Sequence, residues 1–234
     1  MTYAEQLAAL TEVSTATITT VLLKKGLRNI SLRGPSPRLP GQPRIAGPAF
    51  TMRFVPMRED LATPAAWSSP TSTRVAVERA APGSIVVAGA LGHLDSGIFG
   101  DILCARLKQV GAAGLVTDGA IRDIVGIKES GLPVWASAVA APPAISGLSF
   151  VGWDQAISCG GVAVFPGDFI VADEDGAVVI PKDLLPDVVE VSLQQEAEEA
   201  WILERVLGGA PLSGLYPMNA ETRDTYMKQS KKKK

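Results

Sequence analysis

A single histidine, His93, and two cysteines, Cys104 and Cys159, are all the imidazole and thiol that 234 residues provide. That is too little for a disulfide framework or a zinc site. Each cysteine lies in an apolar run, where a buried, reduced thiol is the expectation. An excess of one charge is also missing: 22 Lys and Arg against 24 Asp and Glu give a formal net charge of −2. The only dense basic cluster, Lys231-Lys232-Lys233-Lys234, follows the polar stretch Met227-Lys228-Gln229-Ser230 and is expected to stay solvated and mobile. A nucleic-acid-binding domain carries its basic stripe within the fold, so nucleic acid is not expected as a partner. No uninterrupted apolar stretch reaches the roughly 20 residues needed to span a bilayer. The opening Met1-Thr2-Tyr3-Ala4-Glu5-Gln6 lacks the basic-then-apolar pattern of a signal peptide. The expectation is a cytoplasmic protein with no membrane partner.

What is present reads as globular: 47% hydrophobic and 20% charged residues, with 23 glycines and 17 prolines to make turns. Over residues 3–25, Leu7, Leu10, Ile18, Val21 and Leu22 recur at three- and four-residue spacing. That pattern predicts amphipathic helix, broken near Ser14 and Thr15, either of which can cap a second helix. Three prolines between Arg33 and Gly41 predict a loop. Residues 45–55 read as a strand entered through a turn at Gly47-Pro48, residues 59–72 as an exposed loop, and 73–81 as a short helix. The glycine-bounded apolar run 84–90 is a buried strand. Helix 101–110, strand 113–117, helix 121–130 and strand 133–138 then alternate. Strands at 162–165, 167–172 and 177–180 follow, with Asp175-Gly176 as one of the turns, and then a long helix over 183–208. An irregular extension comes last, with no repeat of roughly 20 to 50 residues anywhere. The order predicts one α/β domain with a mixed central sheet over residues 1–208, not a doubly wound dinucleotide fold, and a C-terminal extension over 209–234.

Two stretches carry the chemistry. In Gly97-Ile98-Phe99-Gly100-Asp101-Ile102-Leu103 a glycine-bearing turn runs into a helix, whose first N–H groups attract carboxylates and phosphates. Glycine at 100 lets an anion approach the backbone. The same run also fits an ordinary strand-to-helix turn. In Asp118-Gly119-Ala120-Ile121-Arg122-Asp123 a buried strand ends in an Arg–Asp pair, which offers a planar cation for a carboxylate or enolate and an oxygen ligand for a hard metal. A solvated pair at a helix start fits that dipeptide equally well.

Together these stretches resemble the family that includes 4-hydroxy-4-methyl-2-oxoglutarate aldolase and the regulator of ribonuclease E activity A. The resemblance runs from about Ser14 to Pro181. It rests on Gly100 to Leu103, on Gly111-Ala112-Ala113-Gly114-Leu115-Val116-Thr117 leading into Asp118 to Asp123, and on Pro166-Gly167-Asp168-Phe169-Ile170-Val171-Ala172-Asp173-Glu174-Asp175-Gly176-Ala177-Val178-Val179-Ile180-Pro181. It implies a swivelling β/β/α domain assembled as a homotrimer or homohexamer with sites between subunits. It implies that Gly100, Asp101, Ile102 and Leu103 cradle a pyruvate carboxylate, that Arg122 contacts the keto oxygen, and that Asp123, assisted by Asp101, holds Mg2+ or Mn2+. The reaction so implied is retro-aldol cleavage of a 4-hydroxy-2-oxo acid, or decarboxylation of oxaloacetate, through a pyruvate enolate.

That route suits the residues, because charge building on the C2 oxygen calls for a Lewis acid and a charge-assisted donor. A covalent route needs a Schiff-base lysine, yet Lys108 and Lys128 lie on predicted helices, facing solvent. His93, just before the cradle, could ligate metal, shuttle a proton or contact the distal end of the substrate; the resemblance gives it no role. The run Asp173-Glu174-Asp175 reads as a hairpin turn, and Glu196, Glu198 and Glu199 as a solvated helix face, one of which could enter a neighbouring subunit's site. Trp67, Trp153 and Trp201 read as packing or interface residues. The loop 33–43 and the extension after Gly208 depart from shorter family members and leave the substrate open, a sugar-acid-derived 2-oxo acid undergoing dehydration included. A non-catalytic protein that binds and inhibits a ribonuclease is the competing reading. A menaquinone methyltransferase is disfavoured, since no glycine-rich nucleotide loop is present.

Overall fold

The structure, a computed structural model, describes residues 1–230. The lysines at 231–234 lie outside the described residues, and the expectation of a mobile tail with them. Two helices open the chain, α1 (Tyr3–Leu10) and α2 (Thr15–Lys24). Thr2 and Glu5 cap the first reciprocally, each side chain accepting the other's backbone N–H. Ser14 caps the second by accepting the Thr17 N–H. The break falls where the sequence puts it.

The short strand β1 (Ser31–Leu32) precedes the proline-rich stretch, β2 (Ser36–Pro37) interrupts the loop expected there, and β3 (Ile45–Pro56) follows. Next come α3 (Thr73–Val77), β4 (Ile85–Gly89), β5 (Gly97–Phe99), α4 (Asp101–Gln109), β6 (Gly114–Ile121), α5 (Ile124–Ser130) and β7 (Val134–Val139). The remainder is β8 (Leu148–Trp153), β9 (Ile157–Cys159), β10 (Val162–Val164), β11 (Phe169–Asp173), β12 (Gly176–Ile180), α6 (Leu185–Leu207) and α7 (Ala220–Ser230). One mixed sheet runs β1-β12-β11-β3-β4-β6-β7-β2, with β5 added beside β6 and β8 beside β3. The pairs β3–β4, β4–β6, β5–β6 and β6–β7 are parallel; β1, β2, β8, β11 and β12 join antiparallel. A separate hairpin, β9–β10, packs beside it.

Alternation along the strands divides the interior into packed layers. Val86, Ala88 and Leu115 face Val77, Cys104, Leu107 and Ile127 of α3, α4 and α5. Their neighbours Ile85, Val87 and Val116 face the other way, with Cys159 and Val162 of the hairpin and with Ile170 and Val179. The outer face of β11 and β12, carrying Phe169, Val171, Val178 and Ile180, buries Leu10, Ile18, Leu22, Leu185 and Val188 of α1, α2 and α6. Burial on both faces is why these strands read as continuous apolar runs. Among the described residues no single helix is long and apolar enough to cross a membrane.

Several elements differ from the sequence reading. The chain passes straight through Gly47-Pro48 as part of β3, pairing with β11, because the missing side chain of Gly47 gives the Gly83 carbonyl room. Strand β6 does not end at Thr117: it shifts register at Asp118 and Gly119 and resumes to Ile121, pairing with β5 and β7, so α5 starts three residues later than expected. Strands β1, β2, β5, β8 and β9 are not expected from the sequence. The expected irregular extension instead contains α7, which folds back on α6: Tyr226 packs edge-on against Trp201 at 5.5 Å, and Gln229 accepts from Trp201 Nε1 and Arg205. Glu196 is not a solvated residue; it accepts the N–H and hydroxyl of Ser14 and ties α6 to the α1–α2 turn.

Candidate active site

Parallel strands β5 and β6 end side by side, and each turns into a helix at its carboxyl end, where α/β sheets bind ligands. Gly100 is the N-cap of α4 and Asp123 the N-cap of α5. Arg122 leaves β6 with its backbone N–H donated to the Phe99 carbonyl at 2.9 Å, which ties the two turns together. Its stem lies over Gly97, where a Cβ would meet Arg122 Cβ at 2.7 Å. The guanidinium Nε then donates to Asp123 Oδ2 at 3.0 Å. Both side chains stay open to solvent, at 36% and 41% exposure.

Asp123 adopts φ 57°, ψ 44°, a left-handed conformation that Asp tolerates better than most residues. That turn aims the carboxylate across at α4, so a Cβ on Gly100 would come 2.6 Å from Asp123 Oδ2. The second carboxylate, Asp101, opens α4 and accepts the Ile102 N–H through Oδ1 at 2.7 Å. Among the described residues no protein acceptor takes the N–H groups of Asp101 or Leu103. Two amides, a guanidinium and two carboxylates therefore gather at one place, the adjacent starts of α4 and α5. Ile102 and Val125 flank it as apolar surface, 79% and 71% exposed.

The donors available to a cation here are carboxylate oxygens, from Asp101 and Asp123. Among the described residues no group of three or more His, Cys, Asp or Glu side chains could enclose a metal. An oxygen-only, open donor pair fits Mg2+ or Mn2+, which keep several waters and share coordination with substrate, and it does not fit zinc.

The remaining candidates fall elsewhere. His93 packs its ring against Gly147, with Nε2 shut from solvent and no hydrogen-bond partner; no hydrogen bond joins it to Arg122 or Asp123 among the described residues. Lys108 and Lys128 are exposed, as expected. Asp173 ends β11 just before the turn, where it is buried and accepts the N–H and hydroxyl of Thr15. Glu198 accepts from Gln194 and Arg223, and Glu199 from Gln195, so both are engaged within the chain. Trp153 stacks on Phe150, and Arg205 covers Trp201, as packing residues would. Both cysteines are buried and unpaired. Burial, with the Asp101 carboxylate adding to it, pushes the Cys104 thiol up to about 12, so it supplies no thiolate near neutral pH.

The sequence reading missed Asp118. Its buried carboxylate accepts the N–H groups of Ala90, Gly92 and Gly160 and holds the ends of β4, β6 and the β9–β10 hairpin in place. The only sequence signal was an acid inside an apolar strand.

Comparison with known proteins follows the same outline. The RraA-like family (Aldolase/RraA) matches residues 13–179. A Halalkalibacterium halodurans protein, provisionally named a 4-hydroxy-4-methyl-2-oxoglutarate aldolase, is 37% identical over 53% of this chain and 59% of its own length. The chain therefore spans about three fifths of that relative. The 4-hydroxy-4-methyl-2-oxoglutarate aldolase of Thermus thermophilus is 32% identical over 61% of this chain and 79% of its own. Among solved structures, Streptomyces coelicolor RraAS2, described as an unusual member of the RNase ES inhibitor RraA family, is 35% identical with a TM-score of 0.75. It covers 84% of this chain and 94% of its own. A match of that length, with the fold shared along nearly all of a solved relative, makes this chain a member of the RraA-like family.

Proposed function

We propose that this protein is a divalent-metal-dependent lyase that cleaves 4-hydroxy-2-oxo acids, or decarboxylates oxaloacetate, at the adjacent starts of α4 and α5. The observation that carries the reading is the Arg122–Asp123 pair set directly over the glycine-led start of α4. The amides of Asp101 and Leu103, at the positive end of α4, receive the carboxylate of the 2-oxo acid. Breaking the C3–C4 bond leaves its electron pair as a pyruvate enolate with charge on the C2 oxygen, while the other half departs as CO2 or, once the 4-hydroxyl proton is lost to solvent, as a carbonyl compound. Arg122 meets that charge with a charge-assisted hydrogen bond, at a position the Phe99 carbonyl and Gly97 hold in advance. Asp123 and Asp101 would hold Mg2+ or Mn2+, which when bound supplies Lewis acidity at the ketone. Ile102 and Val125 are apolar surface that a second copy of the chain would cover, consistent with a trimer or hexamer whose sites lie between subunits.

The test measures pyruvate release from oxaloacetate and from 4-hydroxy-2-oxo acids, with and without Mg2+ or Mn2+, on material of determined molar mass. Wild type turns over only with metal, and Arg122→Ala loses about a hundred- to thousandfold in rate, the usual effect of deleting one such donor. Metal-independent turnover, or an unaffected Arg122→Ala, rejects the proposal. The likeness to RraAS2 supports a second reading, a regulator that binds a ribonuclease. No turnover, coupled with slowing of an RNase E-type enzyme, selects it.

A further inference from the structure

The two carboxylates of the proposed site are seated in the same way. Asp123, at the start of α5, lies where Gly100 of α4 has no side chain. Asp101, at the start of α4, lies where Gly126 of α5 has none. A Cβ on Gly126 would stand 2.6 Å from Asp101 Cβ and 2.8 Å from Asp101 Oδ2, closer than real Cβ contacts come. The obstructing atoms include the first carbon of a side chain that itself opens a helix, so they cannot swing aside as the tip of a long chain would. Gly126 has no positive φ and sits in the first turn of α5, where glycine is a poor helix former. Backbone conformation does not explain it. The approach of Asp101 does.

We propose that Gly126 is a positioning residue: its missing side chain sets how closely the starts of α4 and α5 approach and so the spacing of Asp101 and Asp123. The inference rests on the lyase reading for its metal, though not for the packing. With Ala at 126 the two helix starts must part. Asp101 then moves away from Asp123, while Arg122 keeps its tie to Phe99.

Two measurements test this without relying on turnover. The first is Mn2+ affinity, read from the electron paramagnetic resonance signal of free Mn2+, for wild type, Gly126→Ala, Asp101→Gly and the double variant. Gly126→Ala is expected to weaken Mn2+ binding at least tenfold in the wild-type background and to add nothing once Asp101→Gly has removed the carboxylate. Equal Mn2+ affinity in wild type and Gly126→Ala overturns the proposal. The second is a thermal cycle on the same four proteins. Exchanging Gly for Ala within a helix ordinarily raises stability, worth about 2 °C in a chain of this size. The expected pattern is a fall in Tm for Gly126→Ala in the wild-type background and a rise in the Asp101→Gly background. A rise in both backgrounds overturns the positioning role. If wild type binds no Mn2+, the lyase reading fails by itself, and the thermal cycle still decides whether Gly126 seats Asp101.

Discussion

At the scale of single residues, Asp123 performs two jobs that substitution can separate. It supplies a carboxylate beside Arg122, and it takes up a left-handed backbone turn at φ 57°. Asn satisfies the turn and lacks the charge, whereas Ala satisfies neither, since a Cβ without a local hydrogen-bonding group costs roughly 1 to 2 kcal/mol in that conformation. Asp123→Asn is therefore expected to unfold like wild type while losing most metal-dependent pyruvate release. Asp123→Ala should lose that activity and also about 1 kcal/mol or more of stability. Denaturant titration beside the pyruvate assay separates the two; equal stability of the Asn and Ala variants would remove the turn from the account.

At the scale of elements, the α6–α7 contact is the clearest case of structure that local sequence does not announce. Helix α7 is polar nearly all round, with only Tyr226 buried, so it shows no apolar stripe. Its partner residues on α6, Trp201 and Arg205, lie more than twenty positions earlier. An aromatic pair of this kind is worth about 0.5 to 1.5 kcal/mol beyond the area it buries. Tyr226→Ala should therefore release α7, raising amide hydrogen exchange over residues 220–230 and leaving that of residues 101–127 as it was. Faster exchange in both segments would mean that α7 supports the site.

The same contrast explains what could be read in advance. Strand β4 and helix α4 were legible because burial imposes a long regular pattern on each. The Arg122–Asp123 pair was legible because an acid and a guanidinium at a strand end are conspicuous. Strands β5 and β9 have three residues each, too few for a period to show, and β5 exists only because β6 resumes past Gly119 to pair with it. That resumption needs Gly119, whose missing side chain admits Ala90. Gly126 and Asp118 act across the fold, on partners far away in the chain, and so left no local trace.

At the scale of the whole molecule, carboxylates join the N-terminal helices to the rest. Burial pushes the Glu196 carboxyl up, but hydrogen bonds from the Ser14 N–H and side chains of Ser14 and Thr17, with Arg44 nearby, outweigh it and leave the group below its ordinary value of 4.5. A carboxyl depressed in the folded state contributes stability that is present above the unfolded value and is lost as pH falls through the folded one. The attachment of α1 and α2 should therefore loosen below about pH 4.5. Ser14→Ala, which keeps the backbone donor and removes the hydroxyl, should show a smaller drop in Tm between pH 6 and pH 3 than wild type. An unchanged drop would shift the acid sensitivity to other carboxylates.

Asp118 gathers amides from Ala90, Gly92 and Gly160 on β6, four positions before Arg122, the residue that follows the strand's end. The β9–β10 hairpin, which contains Gly160 in its turn, is thus riveted to the strand that presents the guanidinium, although it contributes no atom to the site. Damage to that distant corner would be transmitted along β6 as a misplaced cation, so a harmless-looking change in the hairpin could silence the protein without touching its chemistry.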